Sequence, residues 1–307
     1  MRKIDLGGSG LEVSNVSLGC MRMGDFTAKE AGAIISKAYE GGIDFFEHAD
    51  IYGKGVCEEV FAKGLAESGI KREEIFIQTK CGIRPDLGTF DFSREHILAS
   101  VEKSLKRLDT DYLDVLALHR PDALMQPEEI AAIFDELHTS GKVRAFGVSN
   151  HTPLQMQLLQ KYVSQKLIVN QMQLSIMHTP MLDFGMNANM ANEAAINRHG
   201  EIIEHCRLND ITIQAWSPYQ YGFFEGVFVD NPKFPTLNAK LQEVADTYYT
   251  TPTGIATAWI LRHPANMQVV IGTMNKERLA QITSAAMITI SREEWYDIYK
   301  AAGNILP

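Results

Sequence analysis

Several features that would place this chain in a class at once are missing. No Lys/Arg-rich run is present, and 29 basic against 38 acidic residues leave a formal charge of −9. The surface as a whole therefore repels phosphate polymers, which excludes nucleic acid as an expected partner. It leaves room for one anionic small molecule in a local pocket. No stretch approaches the roughly 18 uninterrupted apolar residues a membrane span requires, and the basic start Met1-Arg2-Lys3 leads into no apolar segment. Neither a membrane protein nor a secretory leader is expected. Cys20, Cys57, Cys81 and Cys206 are widely spaced and form no Cys-x-x-Cys pair. They read as reduced thiols of a cytoplasmic protein, not as a disulfide frame or zinc site. There is no His-Glu-x-x-His, and no metal is expected. Ordinary glycine, proline and apolar content excludes collagen, coiled coil and intrinsic disorder. A Pro/Ser/Gly linker is also lacking, so 307 residues read as one domain, 1–307, although the length alone admits two.

What is present is a beat of short β-rich runs and longer helical ones. Val16–Leu18, Phe45–Glu47, Ile75–Thr79, Leu113–Leu118, Val143–Val148, Ile168–Gln171, Ile211–Ala215 and Val269–Ile271 read as eight strands. Several are continuously apolar, as buried parallel strands are. Thr27 caps a helix carrying Ala31, Ile34, Ile35 and Ala38, stopped at Gly41-Gly42. Ser93 caps another with Ile97, Val101, Leu105 and Leu108 on one stripe. Pro127 opens a third, and Gly141 ends it. Outside the beat, Ile4–Leu6 and Leu11–Val13 form an N-terminal hairpin over one barrel mouth. Tyr219–Pro235 reads as a long loop, and Ser291–Ala302 as a terminal helix with a Ser291/Glu294 capping box. Eight strands with intervening helices predict a (β/α)8 barrel or a doubly wound sheet. The second usually carries Gly-x-Gly-x-x-Gly after its first strand. Here that place holds Gly19-Cys20-Met21-Arg22-Met23-Gly24, and the weight moves to the α/β (β/α)8 TIM barrel.

Successive strands end in ionisable groups. Strand two ends at Glu47 and continues through His48, Asp50 and Tyr52; strand three delivers Lys80, and strand four delivers His119. In a parallel barrel these ends are neighbours on the face that carries the chemistry. The grouping makes chemical sense. A phenol is a weak acid with a pKa of about 10, and a nearby ammonium favours its phenolate and eases proton transfer. Lys80 supplies that ammonium, and Glu47 holds it in place and charged. His119 donates to a developing alkoxide or shuttles the proton.

With these residues in view, Glu47-x4-Tyr52, Lys80 and Leu118-His119-Arg120-Pro121-Asp122 resemble the active-site blocks of the aldo-keto reductases. These are NAD(P)H-dependent carbonyl reductases on a (β/α)8 barrel. Gly141–Asn150, Ala215–Pro218 and Val270–Asn275 extend the resemblance over nearly the whole chain in order. The compact pattern is similar to the bacterial NAD(P)H-dependent oxidoreductase branch and to potassium-channel β-subunits. The resemblance implies Tyr52 as general acid, assisted by Lys80 and His119. Ser149, Asn150 and Gln171 would meet the nicotinamide carboxamide, and Trp216 would stack on its ring. Ser217, Pro218 and Tyr219 would begin the pyrophosphate loop. Gly272, Thr273, Met274, Asn275, Arg278 and Gln281 would surround the adenosine phosphate, where a helix N-terminus and an arginine fork favour an anion. Gly19, Cys20 and Met21 join the cofactor wall, and Met23, Phe26, His48 and Tyr221 are candidates for the substrate pocket.

Two positions depart from the family pattern. Glu47 stands where the family has Asp, adding a methylene at a position where an ångström matters; it is expected still to pair with Lys80. Gly272 stands where some members have Lys, leaving Arg278 as the clear cation for a 2′-phosphate. NADP(H) is the expected cofactor and NAD(H) the alternative. The expected activity is NADPH-dependent reduction of small aldehydes or ketones, with aromatic Tyr219, Tyr221, Phe223 and Phe224 favouring an apolar or aromatic carbonyl compound. Two other readings remain open: a nucleotide-binding redox-sensing regulatory protein with little turnover, and a barrel lyase forming a Schiff base on Lys80. The sequence sets neither the carbonyl substrate nor the oligomeric state.

Overall fold

The computed structural model describes residues 1–198 and 200–307. Eight parallel strands close into a barrel in chain order: Val16–Gly19, Phe45–Glu47, Phe76–Cys81, Leu113–Leu118, Val143–Ser149, Leu167–Gln173, Thr212–Trp216 and Gln268–Ile271. Strand eight pairs with strand one through Val269↔Val16, Val270↔Ser17 and Ile271↔Leu18, which completes the ring. The register slips between strands five and six, between Leu167 and Asn170. Each expected strand is present, and strands one, three, five, six and seven reach further at their C-terminal ends. Lys80, Ser149 and Trp216 lie inside strands and are aimed by the barrel itself.

The helices follow from the local signals. Ala28–Glu40 starts on the Thr27/Glu30 capping box and buries Ala31, Ile34, Ile35 and Ala38 against the barrel. Arg94–Leu108 accepts its first bond on Ser93 and buries the stripe from Ile97 to Leu108. Pro127–Thr139 starts at its proline, and Arg292–Ala301 on the Ser291/Glu294 box. Each fully buried Leu, Ile or Phe contributes about 1.5–3 kcal/mol of transfer free energy, and these faces join one continuous core with the barrel strands.

The N-terminal hairpin pairs Lys3–Asp5 with Glu12–Ser14. Ile4, Leu6 and Val13 pack on Phe45, Val115, Ile168 and Val169, closing the end of the barrel where the strands begin. Gly7 makes the seal possible: it has φ +61°, and a Cβ there would sit 2.2 Å from the Ile168 carbonyl oxygen.

The Tyr219–Pro235 segment differs from the expected loop. It holds a small antiparallel ladder, Gln220–Tyr221 with Gly226–Val227, before helix Pro235–Thr247 begins. Backbone pairing across a tight turn satisfies amide groups that a free loop leaves to water. After strand six come the helix Pro180–Met186 and the turn Glu193–Ala195, which the sequence pattern does not signal. Among the described residues no helix is long and apolar enough to cross a membrane.

Candidate active site

Glu47 ends strand two, Lys80 is the penultimate residue of strand three, and His119 follows strand four, with its N–H donating to Cys81 O at 2.9 Å. Tyr52 arrives by a longer route. The chain after Glu47 is tied to strand three by His48 N–H to Gln78 O (2.8 Å) and Asp50 N–H to Lys80 O (3.0 Å). It then coils into the tight turn Tyr52–Gly55. Gly55 has φ +95° against Arg107, whose Cδ would be 2.8 Å from any Cβ there.

These elements bring the four residues together. Lys80 is fully buried, and its three N–H bonds meet the Glu47 carboxylate, His48 O (2.9 Å) and Tyr52 Oη (2.9 Å). An ammonium has three donors and no acceptor, so every donor is used. Tyr52 Oη itself lies within donating distance of Glu47 Oε1, at 3.4 Å. The rings of Tyr52 and His119 meet edge to face with centroids 6.1 Å apart.

The longer Glu47 side chain fits because its partner on the neighbouring strand is glycine. Gly19 pairs with Glu47, and a Cβ on Gly19 would come 3.0 Å from Glu47 Oε2. Gln171 Nε2 donates to Glu47 Oε1 at 3.3 Å and to Gln214 Oε1 at 3.3 Å. Gln214 in turn exchanges bonds with Gln78 (2.8 and 3.0 Å) and donates to Gln268 (2.8 Å), which donates to Ser14 O (2.7 Å). A glutamine ladder thus runs through the barrel interior from the hairpin to Glu47.

The electrostatics differ in one respect from the sequence reading. Burial pushes the Tyr52 phenol up, so removal from water outweighs the neighbouring ammonium, which alone would lower it. The phenol keeps its proton at neutral pH. Burial likewise presses Lys80 downward, and the carboxylate of Glu47 against it supplies the compensating charge. His119 is held well below the ordinary histidine value by burial first, then by the charges of Lys80 and Arg120. Its imidazole is neutral, and among the described residues its buried Nδ1 has no partner.

Tyr52, Glu47 and His119 open onto a cavity of about 1480 Å³ at the C-terminal ends of the strands. Of the sequence candidates, Gly19, Met21, Phe26, Ser149, Asn150, Gln171 and Trp216–Tyr219 line it, as do Gly272–Asn275, Arg278 and Gln281. Others do not. Lys80 stands behind the wall. Cys20 and Met23 are fully buried packing residues. His48 is buried edge-on to Phe61 at 4.5 Å, with burial lowering its pKa to about 3. Tyr221 packs on Phe234 (4.9 Å) outside the cavity. Cys20, Met23, His48 and Tyr221 turn away from the cavity, which the position of a segment in the chain does not reveal.

The side chain of Asn150 is already committed. It donates to Ser149 Oγ (2.8 Å) and His119 O (3.4 Å) and accepts from Trp216 Nε1 (3.2 Å), so it aims the indole. Asn150 (φ 61°) and Ser217 (φ 51°) both hold left-handed backbone at this wall. Gln171 Oε1 accepts from no donor among the described residues. Phe224 stacks on Trp216 with centroids 6.0 Å apart, and Phe223 meets it edge-on at 6.3 Å. Arg278 lies in the first turn of helix Lys276–Ala285, which is capped by Asn275.

Sequence reasoning missed several wall residues, among them Arg22, Asp25, Ile83, Arg120 and Val229. Two had a signal. Arg120 sits beside His119 in an already conspicuous block. Arg22 follows strand one; its Nη1 donates to Gly272 O at 3.0 Å, and a Cβ at 272 would lie 2.7 Å from it. Glycine at 272 therefore makes room for an arginine from elsewhere.

Comparison with known proteins agrees with this geometry. The Aldo/keto reductase family model matches residues 15–302. An uncharacterized oxidoreductase of Bacillus subtilis, YcsN, is 35% identical, with 98% of each chain covered. The 6-dehydroglucose reductase of Agrobacterium fabrum is 34% identical over 95% of each, and the Escherichia coli oxidoreductase YdhF is 33% identical over 98% of each. Among solved structures, the thermostable aldo-keto reductase Tm1743 superposes with a TM-score of 0.79 at 25% identity, covering 98% of this chain and all of that one. A Klebsiella pneumoniae aldo-keto reductase, solved in complex with NADPH, has the same fold at a TM-score of 0.78 and 21% identity, covering 97% of this chain and 94% of that one. Aldo-keto reductases use nicotinamide cofactors and act on small-molecule carbonyl compounds. The closed barrel, the residues gathered at its C-terminal mouth and a match spanning almost all of the sequence make this chain an oxidoreductase enzyme of the aldo/keto reductase family.

Proposed function

We propose that this enzyme reduces aldehydes or ketones to alcohols, with NADP(H) preferred over NAD(H), Tyr52 as general acid, and residues 1–307 acting as one barrel domain. The observation that carries the reading is the phenol of Tyr52 at the cavity wall, 2.9 Å from a buried ammonium whose other donors are filled.

The residues present fit a nicotinamide dinucleotide. The cavity has the volume, Gln171 Oε1 accepts from no donor among the described residues, and the Trp216 indole is fixed by Asn150. Gln171 with Ser149 would hold the carboxamide, and Trp216 the nicotinamide ring. Ser217, Pro218 and Tyr219 would border the pyrophosphate, and Gly272–Asn275, Arg278 and Gln281 the adenosine phosphate. Arg22 beside Gly272 adds a second cation to that end of the cavity, which supports the preference for a 2′-phosphate. When bound, a reduced nicotinamide supplies the hydride.

The protein's part is the proton and the charge. Lys80 donates to Tyr52 Oη, and the phenolic hydrogen, held at long range by Glu47 Oε1 at 3.4 Å, turns to a carbonyl oxygen when one occupies the cavity. As negative charge grows on that oxygen, Tyr52 releases its proton, and Lys80 stabilises the resulting phenolate. Neutral His119 offers one N–H, and Nε2 is the nitrogen we assign to the carbonyl oxygen, because Nδ1 is enclosed. Glu47 keeps Lys80 charged and in place.

A Schiff-base role for Lys80 is disfavoured because the amine is fully buried behind Tyr52 with its donors occupied. The four cysteines are free and buried, which suits a reducing compartment, and we place the enzyme in the cytoplasm. NADPH consumption across a panel of aldehydes and ketones, with NADH alongside, tests the reading. Steady turnover with NADPH supports it. Tight nucleotide binding without turnover on any carbonyl would refute it in favour of a redox-sensing role.

A further inference from the structure

Arg120 is half-buried on the cavity wall, directly after His119, and among the described residues it makes no hydrogen bond, ion pair or ring contact. Other arginines that this chain takes out of water are paired. Arg72 meets Asp114 at 2.6 Å, and Arg107 meets Glu58 at 2.6 Å. The carboxylate nearest in sequence is unavailable, since Asp122 accepts from Phe92 N (2.9 Å) and Leu124 N (2.8 Å). A guanidinium withdrawn from water without a counter-ion is costly and cannot discharge itself, and burial here works against its charged form.

The nucleotide phosphates are not its natural partner. The cations placed for them, Arg22 and Arg278, come from the loop after strand one and the helix after strand eight. Arg120 follows strand four, which stands four strands round the eight-stranded ring from strand eight. Its companions on that side of the wall include Ile51 and Ile83, which are apolar, and the proposed carbonyl-orienting His119.

We propose that Arg120 is the anchor for an anionic group on the substrate, so that this reductase acts on carbonyl compounds carrying a carboxylate. This rests on the reductase reading above and names its substrate class. The aromatic and aliphatic wall takes the body of the molecule, His119 and Tyr52 take the carbonyl oxygen, and the Arg120 fork takes the carboxylate in a charge-assisted pair.

The test compares kcat/KM for 4-carboxybenzaldehyde and its methyl ester, methyl 4-formylbenzoate, in wild type, Arg120→Gln and Arg120→Lys. We expect wild type to favour the acid by about 10-fold or more, and Arg120→Gln to bring the acid-to-ester ratio to about one, as loss of a charged hydrogen bond dictates. Arg120→Lys recovers part of the ratio. A wild-type ratio near one, a ratio unchanged in Arg120→Gln, or a selective weakening of NADPH binding in that variant overturns the assignment. Should neither aldehyde be reduced, the carbonyl panel decides the reductase reading, and calorimetry decides the anchor separately. Binding of 4-(hydroxymethyl)benzoate, but not its methyl ester, that is lost in Arg120→Gln supports it, and equal binding of the two refutes it.

Discussion

Removing the charge of Glu47 while keeping its size, as Glu47→Gln, tests how the active-site lysine is held. Lys80 is fully enclosed and Glu47 nearly so, its side chain being 3% exposed. The variant leaves an ammonium with only His48 O and Tyr52 Oη as acceptors. Breaking a buried ion pair from one side costs about 3–5 kcal/mol. At roughly 2 °C per kcal/mol for a chain of this size, that is a fall in Tm of about 6–10 °C. Lys80→Met should cost a similar amount by stranding the carboxylate. The double variant strands neither charge, and should lie within about 2 kcal/mol of wild type, since removing both charges of a buried ion pair avoids the cost of breaking it from one side. Thermal unfolding of all four proteins closes the cycle. Two single losses that simply add in the double variant would show that the groups are not coupled, and the electrostatic account of the site would be wrong. Glu47→Asp retains the charge but withdraws the carboxylate, and should cost less stability than Glu47→Gln while still slowing turnover.

Other outcomes follow from the same geometry. Burial, with the charge of Glu58 next, raises the Asp50 carboxyl to about 7. The folded chain thus holds a proton that the unfolded chain releases near 4, so this group's contribution is present at low pH and lost as pH rises through 7. At 1.36 kcal/mol per unit that is about 4 kcal/mol. Asp50→Asn should match wild type near pH 4 and exceed it in Tm at pH 8; an equal or lower Tm at pH 8 contradicts the assignment. Gln214→Leu interrupts the interior ladder and leaves Gln78, Gln171 and Gln268 short of partners. At about 1–3 kcal/mol for each stranded group, urea unfolding should report a loss of at least about 3 kcal/mol, and a loss under about 1 kcal/mol would show that the ladder carries no stability. Arg278→Gln should weaken NADPH binding by about tenfold and leave NADH nearly untouched, as read by Trp216 fluorescence; equal weakening of both denies Arg278 its phosphate role.

The barrel was legible because buried parallel strands write continuous apolar runs and their helices carry caps and stops. Thr27, Ser93 and Ser291 each open a helix as read. The gathering of Tyr52, Lys80 and His119 was legible for a related reason, since parallel strands end on one face. Side-chain direction was not. Cys20 and Met23 flank wall residues Met21 and Arg22 yet turn into the core, and His48 lies one residue past Glu47 and faces Phe61. The glutamine ladder was hidden because Gln78, Gln171, Gln214 and Gln268 are scattered over four strands, and only closure of the ring makes them adjacent. The small ladder beyond Tyr219 was hidden because two-residue strands leave no period to read. The direction of the Tyr52 shift depended on burial, which composition does not report.

The central claim, that one phenol delivers the proton to a reduced carbonyl, is met most directly by Tyr52→Phe. NADPH-dependent reduction should fall by about 10²–10⁴-fold in kcat, while NADPH binding stays within about twofold of wild type. Reduction at an undiminished rate in that variant would contradict the account.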